Sequence, residues 1–301
     1  MKRKRGVIIL AGVLVLLLVI YFALQSWNSE QEAKQEEEEE AAVVHVTQTD
    51  AEDITAISFD VGNGSIELVK EDGTWYYSPD RDFPLNQTYP EDFAEALGDI
   101  TAERELVDGD ELAAYGLDEP VYTVEYTDTD GNVTSIYFGD TANGDYYVTT
   151  GDTDSVYTVA SSLIDDLNYQ LSDMAVLDSF PSIGSGNLVK EVITQNGETT
   201  TYDSEDEEQE EDIAAIAGGL GAVDLTDAAD YSVADEDLAG FGLDEASRTT
   251  VEVTYTEDDE EQLLTMYMGG SDEDGNRYVM INDSRIVYLI SEEVCSNILN
   301  N

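Results

Sequence analysis

The chain has 301 residues, with 68 Asp and Glu against 12 Lys and Arg, and a formal net charge of −56 at pH 7. Four of the basic residues precede the first apolar segment, so the rest of the chain contains only eight basic residues and all 68 acidic ones. This charge excludes a nucleic-acid-binding protein, because phosphate contacts need clustered Lys or Arg. A single Cys and a single His leave no disulfide pair or zinc-ligand spacing and argue against histidine-dependent catalysis.

The N-terminal segment has the composition of a membrane anchor. Residues 7–24 are uncharged, and as a helix they would span about 27 Å, close to the roughly 30 Å hydrocarbon core of a bilayer. The alternative is a cleaved signal peptide, but its apolar core is usually about 7–15 residues long and ends in a small-x-small site, which residues 22–27 lack. The basic residues 2–5 predict a cytoplasmic N-terminus. The sequence therefore predicts a single-pass cell-membrane protein whose C-terminal units are extracytoplasmic.

Two acidic stretches interrupt the remaining sequence. The first, Glu36–Glu40, predicts a disordered or frayed spacer, because adjacent like charges repel one another and stay solvated. The second stretch, Asp203–Asp212, predicts a loop for the same reason. The only histidine, His45, lies in a polar part of the spacer and is expected outside the folded units.

Beyond the spacer the chain repeats itself. Residues Leu112–Glu119, LAAYGLDE, return as Leu238–Glu245, LAGFGLDE. Three further matches keep the same order: Leu97-Gly98 with Leu220-Gly221, Ile136–Gly139 with Met266–Gly269, and Val156–Val159 with Val287–Ile290. We therefore predict five regions: a basic cytoplasmic N-terminus (1–6), a transmembrane anchor (7–24), an acidic spacer (25–53) and two tandem homologous units (54–180 and 181–301).

Each unit is predicted to be α+β. Tyr122, Val124 and Tyr126 alternate with polar residues, which is typical of a strand with one buried face, and residues 251–256 repeat this alternation. Asp130-Gly131 predicts a hairpin turn, and Pro90 predicts the start of a helix. The sequence thus predicts an N-terminal transmembrane helix followed by two units, each a mostly antiparallel sheet meander with short helices on one side.

The repeated Gly-Leu-Asp-Glu motif is interpreted as structural. Gly116 and Gly242 are predicted to end a short helix in the left-handed conformation, and the leucine after each is predicted to enter the core. The alternative makes Asp118 and Asp244 a pair of ligands, but duplication alone accounts for both.

Several features of the first unit carry a resemblance: Ile54–Phe59, Ile66–Lys70, Gly73–Trp75, the helix after Pro90, Ala113–Pro120, Asp130-Gly131, Ile136–Gly139 and Tyr146-Tyr147. In this order they resemble the bacterial domain-of-unknown-function family 4340. The most specific element is Tyr-Gly-Leu-Asp-x-Pro at 115–120; the second copy has Phe241 and Ala246 in place of Tyr and Pro, and no tryptophan matching Trp75. The resemblance implies a membrane-anchored protein, often encoded beside ABC-transporter and gliding-motility-like components, and it assigns no catalytic residue.

Two sets of residues are candidate binding sites. The loops Asp128–Asn132 and Asp272–Asn276 look like fragments of a calcium loop, but neither has the glutamate at position twelve, so turns are the favoured interpretation. The adjacent tyrosines 76–77 and 146–147 suggest a glycan-stacking platform, although adjacent strand residues point to opposite faces. With 68 acids, paired carboxylates have no specificity as a sign of a glycoside hydrolase. No catalytic, cofactor-binding or metal-binding residue is predicted, and no cofactor.

The function favoured by the sequence is a non-enzymatic, single-pass, membrane-anchored extracytoplasmic protein. The resemblance makes it an accessory or assembly component of an ABC-transporter-like complex, with the membrane and ABC-type permease and ATP-binding subunits as partners. The alternative is a cell-surface binding module for a glycan, a divalent cation or a basic peptide. A third possibility is a hydrolase whose carboxylates are hidden among many.

Overall fold

A computed structural model of the chain describes residues 43–107, 109–151 and 155–301. These residues form two antiparallel sheets accompanied by a few short helices, so the fold is mostly sheet with some helix. The predicted anchor at 7–24 and the basic cluster before it lie outside this range. Among the residues that the structure describes, no helix is both long and apolar enough to cross a membrane.

The first sheet has eight strands: β1 (Ile54–Phe59), β2 (Ile66–Glu71), β3 (Thr74–Tyr77), β4 (Arg104–Leu106), β5 (Tyr122–Asp128), β6 (Val133–Ala142), β7 (Asp145–Thr149) and β8 (Val156–Ala160). Their order across the sheet is β3-β2-β1-β5-β6-β7-β8-β4. Two α-helices, α1 (Thr88–Gly98) and α2 (Ser162–Asp166), and three 3-10 helices, Ala51–Asp53, Leu112–Tyr115 and Leu171–Met174, belong to this part of the chain.

The second sheet has seven strands: β9 (Leu188–Gln195), β10 (Glu198–Asp203), β11 (Ala228–Asp230), β12 (Thr249–Glu257), β13 (Glu260–Ser271), β14 (Asn276–Ile281) and β15 (Val287–Ser291). Their order is β10-β9-β12-β13-β14-β15-β11. The α-helices are α3 (Glu210–Leu220) and α4 (Glu292–Ile298), and the 3-10 helices are Glu207–Gln209 and Leu238–Phe241.

The two sheets share one strand order. When β3 is set aside, β2-β1-β5-β6-β7-β8-β4 corresponds strand for strand to β10-β9-β12-β13-β14-β15-β11. The α-helices fall at matching points, because α1 and α3 follow the opening strands and α2 and α4 follow the last strand of each meander. Along β1 and β9 even the sequence of buried and half-buried positions is the same over six residues. Among the described residues, the second sheet therefore has no strand that corresponds to β3.

The central strands of the second sheet are covered on both faces. On one face they pack with α3 and α4 in a core that includes Leu264, Met266, Val279, Ile281 and Tyr288. Alternate residues of the same strands join a smaller core with the 3-10 helix Leu238–Phe241: Tyr267, Tyr278, Met280 and Val287. Because successive side chains of a strand point to opposite faces, the α-helices and the 3-10 helix lie on opposite sides of this sheet.

The Gly-Leu-Asp-Glu motif has the predicted local structure. Gly116 and Gly242 have φ values of 69° and 67°, and each is the C-cap of a 3-10 helix. The leucine after each glycine, Leu117 or Leu243, is buried. A Cβ on Gly139 would overlap the carbonyl oxygen of the residue before Gly116, so the turn lies directly on β6. The left-handed glycine thus ends the helix and lets the chain turn towards the sheet.

The predicted loop at Asp203–Asp212 is wrong. This stretch contains the last residue of β10, the 3-10 helix Glu207–Gln209 and the first turn of α3. Negative side chains stabilise the start of a helix, where backbone N–H groups lack partners, and the Asp206 carboxylate accepts the N–H of Glu208 at 3.0 Å. Consecutive acids here favour a helix start.

The expectation that His45 lies outside the folded part is also wrong. His45 forms an isolated antiparallel bridge with Thr101, and its Nδ1 lies 2.5 Å from Asp99 Oδ1. Two residues on, the Thr47 hydroxyl donates to the carbonyl of Leu97 at 2.7 Å and accepts the N–H of Ile100 at 2.9 Å. A polar segment is held here by hydrogen bonds that hydropathy does not reveal.

Candidate protein-binding edge of the second sheet

The two aspartate-rich loops are turns closed by their own hydrogen bonds. Asp128 Oδ1 accepts the N–H groups of Asp130 and Asn132, and the Asn132 amide donates to Asp128 Oδ2 at 2.8 Å. Asp272 and Asn276 make the same contacts. These hydrogen bonds hold the pKa of both aspartates below its usual range. The largest contribution comes from the Asn132 side chain for Asp128 and from the Asn276 backbone N–H for Asp272. Across the described ranges, no group of three or more His, Cys, Asp or Glu side chains could hold a metal ion.

The motif aspartates and the paired tyrosines have local contacts of their own. Asp118 is exposed, and the Asp244 carboxylate accepts the N–H of Ala246 at 3.1 Å within its own turn. The adjacent tyrosines of β7 pack in different directions: Tyr146 lies 6.0 Å from the ring of Phe138, while Tyr147 lies 4.8 Å from the ring of Tyr115. The pair Tyr146-Tyr147 therefore makes no continuous stacking surface.

The clearest asymmetry between the sheets is at the edge next to β2 and β10. In the first sheet, β3 pairs antiparallel with β2, and Trp75 of β3, opposite Lys70, is only 1 % exposed. Gln87 closes this edge, because its Oε1 accepts the Trp75 N–H at 2.8 Å and its Nε2 donates to the Trp75 carbonyl at 3.1 Å. No described strand pairs with the outer side of β10, which is therefore left as an edge.

The backbone of β10 is available along this edge. At its end, the Asp203 N–H points outward and donates to Gln209 Oε1 at 2.8 Å. Backbone groups alternate along an antiparallel strand, so Thr199 and Thr201 share the outward direction of Asp203. Residues 198–201 are exposed. Gln209, which like Gln87 immediately precedes an α-helix, closes the end of the edge strand but leaves the middle open.

A cavity of about 220 Å³ lies beside this open edge. Among the residues that line it are Ile193 of β9, Thr200 and Tyr202 of β10, and Leu299 after α4. Thr200 pairs with Ile193, so both side chains lie on the face of the hairpin that carries the main core. The cavity therefore joins the edge of the sheet to its apolar face.

Glu191 is buried one strand inward from the same edge. It pairs with Tyr202 on one side and Val253 on the other, and it is 0 % exposed. Neither of its carboxylate oxygens has a hydrogen-bond partner among the described residues. Burial raises the pKa of Glu191 from an ordinary value of 4.5 to about 8. The side chain therefore holds a proton at neutral pH.

Sequence reasoning did not identify either feature. A glutamate in a half-polar strand predicts an exposed side chain, since Glu is almost never fully buried without a partner. The open edge had a visible signal, because the second copy has no tryptophan matching Trp75. That difference marks the missing strand as well as the missing side chain.

Comparison with known proteins gives one match. The family described as Domain of unknown function (DUF4340) matches residues 75–217 and again 208–301. No curated protein and no solved structure matches the chain. The two family matches together cover both sheets from β3 onward.

Proposed function

Since the chain belongs to the DUF4340 family of proteins of unknown function, we propose that it is a membrane-anchored accessory or assembly component of an ABC-transporter-like complex. In this proposal the protein is non-enzymatic and extracytoplasmic, and its sheets bind partner proteins close to the membrane. The observation that carries the proposal is the open edge of β10, because an unpaired strand edge with an adjoining cavity is suited to binding a protein segment.

Membrane anchorage by residues 7–24, with the N-terminus in the cytoplasm, is the second part of the proposal. It is supported by the length of the uncharged segment and by the basic residues 2–5 before it. Reporter fusions at the C-terminus test the orientation. A C-terminal reporter that is active only outside the cytoplasm should show activity. Activity of a C-terminal reporter that works only inside the cytoplasm would reject this topology.

The third part of the proposal is that 54–180 and 181–301 are tandem homologous units. The shared strand order of the two sheets supports this, and the family matches the chain twice, with the first match (75–217) extending past residue 180. Gly116 and Gly242 end corresponding 3-10 helices, and Tyr137 and Tyr267 lie in the corresponding strands β6 and β13, as duplication requires. Placement of either pair in different elements would contradict duplication.

Affinity purification from membranes in mild detergent tests the function. The full-length chain should recover a permease and ATP-binding subunits of an ABC-type complex, because the sheets are proposed to hold the partners. A chain ending at residue 53 keeps the apolar segment and serves as the matched control, which should insert but recover neither subunit. Recovery of the full-length chain without these subunits would count against the proposal.

The alternative is a cell-surface binding module for a glycan, a divalent cation or a basic peptide. The acidity favours the last of these, because no Lys or Arg occurs between Lys190 and Arg248, a region that includes β10 and α3. Saturable binding of the protein to a cell-wall glycan, with no associated transporter subunit, would support the glycan version instead.

A further inference from the structure

We propose that an extended segment of a partner protein, basic and carrying one aromatic side chain, adds to the outer edge of β10 and fills the adjoining cavity with that side chain. The proposal rests on the proposed function for the presence of partner proteins at the membrane. It specifies where one of them binds and what chemistry the bound segment has.

The backbone of the edge provides the first requirement. Thr199 and Thr201 present outward N–H and C=O groups, and both residues are exposed. An added antiparallel strand would satisfy these groups as β3 satisfies those of β2 in the first sheet. Gln209 already binds the outward N–H of Asp203, so the added strand ends before that residue.

The first sheet shows what side chain the site accepts. There the added strand carries Trp75 on the face shared by Leu68 and Lys70, and Trp75 is almost fully buried. The equivalent face of the second sheet has Thr200 and Tyr202 at the edge and the cavity between them and residues 299–301. The cavity is open to solvent, has a volume of about 220 Å³, and is lined by the apolar side chains of Ile193 and Leu299 together with polar ones such as Gln195 and Asn300. An aromatic ring on the added strand fits this space.

Charge determines the rest of the occupant. Glu198 begins β10, and eight further acids occur in residues 203–212. Within the part of the chain that the structure describes, only Asp203 of these acids is paired with a cation, Lys190, at 3.0 Å. A basic segment is attracted to this edge, whereas a second copy of the chain would bring the same acids opposite one another. Charge therefore favours a basic segment of a different protein over a second copy of this chain.

A labelled peptide tests the site directly. The probe is Lys-Lys-Thr-Trp-Tyr-Tyr-Lys-Lys, which places the four residues of β3 between lysines, and the protein is the full-length chain in mild detergent. Fluorescence anisotropy should show saturable binding. Replacing the first Tyr of the probe by Pro removes a backbone N–H that would bond to β10, and replacing its Trp by Ser removes the ring that would fill the cavity. Each replacement should weaken binding about tenfold or more. Equal binding of all three peptides would reject the proposal and indicate attraction by charge alone.

Variants of the edge provide the matched test. Thr201→Pro removes an outward N–H without removing a bond to β9, so the strand should fold and lose the probe about tenfold or more. Thr201→Val keeps that N–H and should bind as the unchanged chain does. Thr200→Trp should fill the cavity and remove the preference for the Trp-containing probe. If Thr201→Pro fails to fold, Thr200→Trp alone decides, and an unchanged preference for Trp in that variant overturns the proposal.

The same variants separate this inference from the proposed function. If the Thr201→Pro chain still recovers the permease and ATP-binding subunits, the function stands and the β10 site is wrong. If the probe binds as expected but no transporter subunit is recovered by the unchanged chain, the site stands and the function is wrong. Sedimentation of the chain as a dimer that dissociates in Thr201→Pro would make a second copy the occupant and would overturn the inference.

Discussion

Glu191 occupies the position at which the first sheet has Ile57. Both residues are the fourth of their strand, and both strands have the same order of buried positions. A carboxyl group in an apolar site is tolerated because it is neutral, and burial accordingly raises the pKa of Glu191 to about 8. Glu191 therefore makes the second core sensitive to pH at a position where the first core has an isoleucine.

We expect the stability of the second sheet to fall as the pH rises from about 6 to about 8. The folded state holds the Glu191 proton more tightly than the unfolded chain, so its contribution is fully present below 4.5 and is lost as the pH rises through about 8. At about 1.4 kcal/mol per pKa unit, the free energy of unfolding should fall by about 2 kcal/mol over this range. Urea denaturation at a series of pH values measures it.

Glu191→Gln is the control for this prediction. The amide has the same shape and does not ionise, so its unfolding free energy should change little between pH 6 and 8. Glu191→Ile reproduces the first sheet and should be more stable than the unchanged chain at pH 8. A wild-type chain whose stability is flat across this range would show that Glu191 is already charged in the fold.

Substitutions at Gly116 and Gly131 separate the effect of close packing from the effect of a left-handed backbone. A Cβ there would lie 2.8 Å from Asp140 Cγ and 2.9 Å from its backbone nitrogen, at φ 69°. We expect Gly116→Ala to lower the free energy of unfolding by more than the roughly 1–2 kcal/mol of left-handed strain. Gly131→Ala has a similar φ of 80° with no atom within 4 Å, so it should show the strain alone. Equal melting temperatures for the two variants would contradict a close approach at Gly116.

At the scale of elements, the two aspartate turns lead to a prediction about calcium. The carboxylates of Asp128 and Asp272 already accept backbone and side-chain amides, so their oxygens are engaged within the turn. We expect melting temperatures in calcium chloride and sodium chloride, matched in ionic strength, to rise equally. A larger calcium shift that disappears in Asp128→Ala or Asp272→Ala would show that the turns open to bind the ion.

The strands were predictable wherever apolar and polar residues alternate, because one face of such a strand packs on the core. Tyr122–Asp128 and Thr249–Glu257 follow the predicted alternation, and Gly131 lies in the predicted hairpin. The acidic stretch before α3 was not predictable by charge density, because the same acids that solvate a loop also stabilise a helix start. The open edge depends on pairing between distant segments, which local patterns do not report; only the unmatched Trp75 indicated it.

At the scale of the whole molecule, the charge should set the response to salt. After the four basic residues at the N-terminus, eight basic residues face 68 acidic ones. Neighbouring acids repel one another over a Debye length of about 10 Å at 0.1 M salt and only about 3 Å at 1 M. We expect the melting temperature to rise steadily over this range of sodium chloride. A melting temperature independent of salt would mean that repulsion does not oppose folding.

Coverage of the second sheet on both faces has a consequence for hydrogen–deuterium exchange. The amides of β14 and β15 lie between the main core and the smaller core around Leu243, so they should exchange only when the whole unit unfolds. The amides of β10, which is an edge strand, should exchange through local fraying. Mass spectrometry of deuterium uptake would then show a protected centre beside a rapidly labelled margin. Such a sheet can gain or release a strand at its margin while its centre remains intact.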